Sequence, residues 1–305
     1  MSSSRIVQVS ITVSGLTRLF GDDLAGVLDA ARAADDAGIH QLVLPDHVVM
    51  GTRLDRYPFG TKFPYGPEEP WLEPLTTLAA VAAVTQRIRL ATGVLIAPLR
   101  PAVLVAKTAA TLDVLSHGRV DLGVGTGWQP EEFDALGVPF EGRAARMDDL
   151  VRACQALWTE DPPVSFASGS VSFRDLWCEP RPVQPGGIPL WFGGGANDAT
   201  ARRVAELGVG WMPIGVMPRD ELARAIELFR GAFEHAGRDP ATLEVRAGLA
   251  AVTGDDRRFD LDRTLAAVPD LEALGVTMVS LGLGRFLHDA DDVARFFVEV
   301  GAAFA

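Results

Sequence analysis

Asp46-His47 stands directly after the apolar run Leu42-Val43-Leu44-Pro45. A short, continuously apolar run reads as a buried parallel strand, so the pair falls at a strand's C-terminal end. Histidine can accept or donate a proton near neutral pH, and an adjacent carboxylate could hold its ring. The same pair also fits a histidine that bonds a loop beside an aspartate that caps a turn.

Two glycine runs extend the list. Asp121-Leu122-Gly123-Val124-Gly125-Thr126-Gly127-Trp128 alternates its glycines. Without Cβ atoms such backbone can lie close against a planar ligand, or it can make a tight turn at positive φ. Trp191-Phe192-Gly193-Gly194-Gly195-Ala196-Asn197-Asp198 leads into a helical stretch. Glycines before a helix leave N–H groups free for a phosphate, and capping by Asn or Asp uses the same geometry.

The elements that would position these residues recur along the chain. Eight β-branched or apolar runs occur: Ile6–Val13, Gln41–Leu44, Ile88–Ile96, Arg119–Gly123, Ile188–Phe192, Trp211–Ile214, Leu243–Val252 and Val276–Leu283. A segment with helical character follows each. Leu24, Val27, Leu28 and Ala31 recur at three-to-four spacing after the first, and Leu222, Ala225, Ile226 and Phe229 after the sixth. Gly38, Gly208 and Gly275 each fall where a helix gives way to a strand, and a left-handed glycine terminates each helix in this reading. Eight βα units in 305 residues match an α/β fold of the (β/α)8 TIM-barrel class, as a single domain over 1–305, with insertions at the C-terminal face of the strands. The rival, a doubly wound open sheet, lacks a GxGxxG after the first strand.

Two segments exceed ordinary loop length. Val48–Leu72 carries Tyr57, Phe59, Phe63, Tyr65 and Trp71 interleaved with prolines. It is either a lid or pocket wall, or a loop packed on the barrel rim; Tyr57, Phe63, Trp71 and Trp128 are the candidate pocket residues. Pro162–Gly187 contains Val171-Ser172-Phe173, which could pair as a hairpin.

Composition excludes several classes. A net charge of −12 repels phosphate backbones and anionic bilayers, which argues against nucleic-acid or membrane partners. The two cysteines form no CxxC, and the five histidines show no HExxH or HxH grouping, so neither a disulfide framework nor a metal site is expected. The apolar run after Met1-Ser2-Ser3-Ser4-Arg5 is too short for a signal h-region; a soluble cytoplasmic protein is expected. With no metal cluster and no GxSxG elbow, a non-redox hydrolase or lyase is the weakest reading.

One ordered string carries a family resemblance. Arg87-Ile88-Arg89-Leu90-Ala91-Thr92-Gly93-Val94-Leu95 is followed by Pro101-Ala102-Val103-Leu104-Val105-Ala106-Lys107. Leu112-Asp113-Val114-Leu115-Ser116-His117-Gly118-Arg119 comes next, then Gly123–Trp128, Glu132-Phe133 and Gly137. This string resembles the luciferase-like monooxygenase superfamily, and its coenzyme F420-dependent oxidoreductases most. The resemblance spans the chain from the first strand to at least Pro213. It implies a hydride transfer between the deazaflavin F420 and a small organic substrate, or alternatively an FMN-dependent monooxygenase. Asp46 and His47 would lie against the ring system, with His47 moving the proton and Asp46 holding it or bonding the ring edge. Gly93-Val94 would form a bulge with a non-prolyl cis peptide backing the ring, beside Gly127. Gly193, Gly194 and Gly195 would take the phosphate, with Pro213 and Ile214 nearby. The sugar-phosphate branch carries a glutamate where this chain has Trp128, and no phosphate-binding lysine is evident, the only lysines being Lys62 and Lys107. That implies a flatter, more apolar pocket. A homodimer is the family default.

Overall fold

A computed structural model describes residues 7–59, 63–254, 259–287 and 290–305; Ile6 and Lys62 lie outside them. In chain order the strands are β1 (Gln8–Thr12), β2 (Gln41–Leu44), β3 (Arg89–Thr92), β4 (Leu95–Ile96), β5 (Val120–Gly125), β6 (Val164–Ala167), β7 (Ser172–Leu176), β8 (Leu190–Gly193), β9 (Gly210–Met212), β10 (Glu244–Gly248) and β11 (Met278–Gly282). The helices are α1 (Leu16–Phe20), α2 (Gly26–Asp36), α3 (Pro74–Val84), α4 (Ala102–Leu115), α5 (Pro130–Ala135), α6 (Arg143–Thr159), α7 (Asp198–Leu207), α8 (Arg219–His235), α9 (Leu261–Leu265), α10 (Val268–Leu274), α11 (Leu283–Phe286) and α12 (Val293–Ala303). Among the described residues no helix is long and apolar enough to cross a membrane.

The chain divides into two compact units, Met1–Val43 with Arg87–Arg89 and Trp191–Ala305, and Leu44–Gln86 with Leu90–Leu190. In the first, β1 pairs in parallel with β11, from Gln8 opposite Met278 to Thr12 opposite Gly282, and with β2, Ser10 opposite Gln41. β10 joins β11 and β9, and β9 joins β8, all parallel. Stacked rings of Trp211 and Phe229, 4.4 Å between centroids, seat α8 under β9. In the second unit β5 pairs in parallel with β3, Leu90 opposite Val120, and with β4, Leu95 opposite Val124. β2 and β5 are buried along their whole length, which is why their sequences run apolar without alternation.

The run expected as one third strand is two: β3 and β4 flank Gly93-Val94, whose peptide bond is cis, as the resemblance implied. Counting that interrupted strand once, eight parallel strands with their helices make this an α/β fold of the (β/α)8 TIM-barrel class. β6 and β7 form the expected antiparallel hairpin. Beyond it, Gln184 donates to the carbonyl of Val120, the first residue of β5 (2.8 Å).

One expectation is corrected. Gly38 (φ 77°) and Gly275 (φ 102°) are left-handed, but Gly208 is extended at φ −121°. The Arg238 guanidinium donates to the carbonyls of Ala205 (2.9 Å) and Gly208 (2.7 Å) and more weakly to Val204 (3.4 Å). It thereby satisfies the end of α7 without a left-handed turn.

Candidate active site

Pro45 ends β2 and delivers Asp46 and His47 into the second unit. His47 is 9% exposed and Glu132, in the first turn of α5, is 0% exposed. His47 Nδ1 lies 3.1 Å from Glu132 Oε2, while the Val48 N–H donates to Glu132 Oε1 (2.9 Å). Buried Gln129 holds the same loop one turn on: Gly51 N–H donates to its Oε1 (2.9 Å), and its Nε2 donates to the Gly51 carbonyl (3.3 Å). Residues 47–51 are therefore templated by the start of α5. Among the described residues His47 Nε2 has no partner, so it is the nitrogen left for chemistry.

Among the described residues Asp46 makes no hydrogen bond to His47 and is engaged by Arg100 and Ile96. Its Oδ2 accepts from Arg100 Nη1 (2.6 Å) and from the Ile96 N–H (2.8 Å), and its Oδ1 from Arg100 Nη2 (3.0 Å). Arg100 Nη2 also reaches Glu73 Oε1 (3.1 Å). Glu73 caps α3 by accepting from the Thr76 N–H (2.7 Å), with Pro74 following at the first helical position. Burial works against charge at both ends, yet the Asp46 and Glu73 carboxylates hold the Arg100 guanidinium above its ordinary pKa. Likewise Thr76 and Arg100 outweigh burial and hold the Glu73 carboxyl below its usual value. Asp46 thus ties the end of β2 to β4 and α3.

Around His47 stand aromatic rings. Trp71, Phe63 and Trp128 lie with centroids 4.8, 5.7 and 6.1 Å from the imidazole, all edge-to-face. Tyr57 packs on Phe63 (5.1 Å) and Trp128 (5.2 Å), and Tyr65 on Phe63 and Trp71. Phe63, 6% exposed, is the hub. The long segment after β2 is therefore folded over the histidine. The buried Trp71 Nε1 has no hydrogen-bond partner among the described residues, and a buried donor left unpaired costs about 1–3 kcal/mol.

Close packing requires glycine at Gly125, the last residue of β5, and at Gly127 just beyond it. A Cβ on Gly125 would sit 2.5 Å from Val94 Cγ2. Gly127 has φ 73°, and a Cβ there would lie 2.7 Å from Ile96 Cγ2 and 3.1 Å from Phe133 Cε2. Gly127→Ala combines left-handed strain with overpacking, so a loss of about 2–4 kcal/mol is expected. Urea unfolding checks it, and a loss below about 1 kcal/mol would show that the turn re-forms around the methyl group.

Gly193, Gly194, Gly195, Pro213 and Ile214 belong to the first unit, after the ends of β8 and β9. Asn197 caps α7, accepting from Thr200 N–H (3.0 Å), so the capping alternative is realised. The Gly194 N–H donates to the Met212 carbonyl (3.2 Å). A Cβ on Gly194 or Gly195 would meet nothing closer than 3.7 Å, so packing within the chain does not demand glycine there.

Of the residues expected from sequence, His47, Asp46, Gly93, Val94, Gly127, Trp128, Tyr57, Phe63 and Trp71 lie in the second unit. Arg100, Glu73 and Gln129 are further members of the site with no signal in the sequence, and Glu132 stands there only within the family string. Pro130 followed by two glutamates signals a helix start, but nothing in that pattern points to His47.

The luciferase-like monooxygenase family model matches residues 6–275. An uncharacterised protein of Mycobacterium tuberculosis is 32% identical over 284 residues, covering 90% of this chain and 93% of its own. A pyrimidine monooxygenase of Allorhizobium ampelinum is 36% identical over 224 residues, 68% of this chain and 58% of its own. Among solved structures, an F420-dependent secondary alcohol dehydrogenase in complex with an F420–acetone adduct superposes with a TM-score of 0.78 at 17% identity, covering 98% of this chain and 99% of its own. A monooxygenase from Streptomyces bottropensis gives 0.76 at 23%, covering 97% and 98%.

Proposed function

Because this chain belongs to the luciferase-like monooxygenase family, we propose that it is an oxidoreductase transferring a hydride between coenzyme F420 and a small, largely apolar organic molecule. The observation that carries this reading is His47: buried at a strand's C-terminal end, held through Nδ1 by Glu132, and enclosed by Phe63, Trp71 and Trp128. Hydride transfer to or from a polar carbon requires a proton to move at the neighbouring heteroatom, and a fixed imidazole supplies that at neutral pH.

The residues present fit the coenzyme. Gly194 and Gly195 leave room that the chain's own packing does not claim, and they precede a capped ten-residue helix, as a phosphate cradle would. In the first unit, taken by itself, Gly193–Gly195 are the candidates for the phosphate, with Pro213 and Ile214 following β9. In the second unit, taken by itself, Gly93-Val94 and Gly127 are the candidates for a planar ring. The bound deazaflavin would supply or accept the hydride. The chain's part is to orient the substrate, exclude water with the aromatic rings, and receive or return a proton at His47 Nε2. Asp46, occupied by Arg100, positions the backbone.

The pyrimidine monooxygenase among the relatives supports a second reading, monooxygenation on the same residues, for which FMN is the alternative coenzyme. Titrating the protein with F420 and with FMN separately, while following tryptophan fluorescence, tests both. Saturable quenching by F420 with none by FMN is expected. The reverse outcome selects the monooxygenase, and a flat response to both sinks the redox reading.

A further inference from the structure

We propose that Glu132 is a positioning residue that sets the proton polarity of His47: it holds the neutral imidazole with its proton on Nδ1 and leaves Nε2 as a lone-pair acceptor. This rests on the proposed role of His47 and adds which way that group faces a ligand. Glu132 is fully buried and has two partners of different kinds. One is a backbone N–H, that of Val48, 2.9 Å from Oε1. A backbone N–H can only donate, so Oε1 must accept. The other partner is Nδ1, 3.1 Å from Oε2. An ionised carboxylate is acceptor-only, whereas each nitrogen of a neutral imidazole is donor or acceptor according to tautomer. With both carboxylate oxygens accepting, the ring proton resides on Nδ1. Gln129, bonded to both backbone groups of Gly51, pins the far end of the same loop, so the loop cannot relax towards the other tautomer.

The consequence is chemical. In its neutral form His47 keeps Nε2 as an acceptor, so it takes a hydrogen bond from a ligand hydroxyl or amine and can receive that proton. Glu132→Gln reverses the arrangement with almost no change of shape. The Val48 N–H retains the amide oxygen, the amide NH2 then faces Nδ1, and the ring proton moves to Nε2. A comparable reversal in the serine-protease triad costs about 10⁴-fold in turnover.

Histidine-selective ¹⁵N labelling of the coenzyme-free protein tests this, with the His47 resonances identified by their loss in His47→Gln. Above the pH at which His47 loses its charge, the wild type should show a protonated Nδ1 and a bare Nε2, and Glu132→Gln the opposite. With substrate and coenzyme, Glu132→Gln should lower kcat by about 10²- to 10⁴-fold with KM changed only a few-fold, and Glu132→Asp should recover part of it. A wild-type spectrum with the proton on Nε2, or with both nitrogens protonated to pH 9, overturns the proposal; so does a folded Glu132→Gln with the wild-type tautomer. Should that variant not fold, the wild-type spectrum decides alone. Because the spectrum needs no coenzyme, a failed coenzyme titration would remove the functional reading and leave this one to be judged separately.

Discussion

Turnover of the His47→Ala variant is expected to fall by about 10²- to 10⁴-fold, the usual contribution of a positioned acid–base group, while coenzyme affinity stays within a few-fold. The asymmetry follows from the geometry. The imidazole is ringed by Phe63, Trp71 and Trp128, the side chains assigned to the substrate, whereas the coenzyme phosphate is assigned to other residues, Gly193–Gly195. The truncation also strips Glu132 Oε2 of its partner, and an unsatisfied buried acceptor costs about 1–3 kcal/mol. The variant will therefore melt lower, and its kinetics must be measured well below that transition. Fluorescence titration of coenzyme and steady-state turnover on the same preparation separate the two effects. Unchanged turnover in a folded variant would remove His47 from the mechanism.

Arg100→Met is expected to carry a large stability cost. The Asp46 side chain is 1% exposed and leans on Arg100 through both oxygens. Removing the guanidinium leaves a buried carboxylate with only the Ile96 N–H beside it, and breaking a buried pair from one side costs about 3–5 kcal/mol. With an unfolding entropy of roughly 2 cal/mol/K per residue, that lowers Tm by about 5–8 °C for a chain of this length. The double variant Asp46→Asn/Arg100→Met, which removes the stranded charge, should recover a large part of the loss. Calorimetry on the two proteins reads it directly. A single variant that melts within a degree of wild type would show that Asp46 finds water instead. Glu73, the guanidinium's second partner, is half-exposed and contributes less.

The eight-strand alternation was legible because buried parallel strands write themselves as apolar runs, and helix faces repeat every three to four residues. Gly93-Val94 was legible only through resemblance: composition sees an unbroken apolar run from Ile88 to Ile96, whereas the chain divides it into β3 and β4. Gly208 shows the limit of local reasoning, since Arg238, thirty residues on, does the work that a left-handed glycine would have done. The pairing inside the site was not legible at all. Asp46 stands beside His47 in sequence and invited a dyad, but the partners that matter are Glu132, 85 positions away, and Arg100, 54 positions from Asp46. A single sequence carries no record of such distances. The aromatic segment after β2 leaves lid and rim packing open in the sequence, and its ring contacts run from Tyr57 through Phe63 to the imidazole.

Val94 Cγ2 occupies the place that a side chain at position 125 would need. A methyl gained at position 125 therefore demands a branch surrendered at position 94, and any redesign that enlarges the residue on β5 must change both in one step.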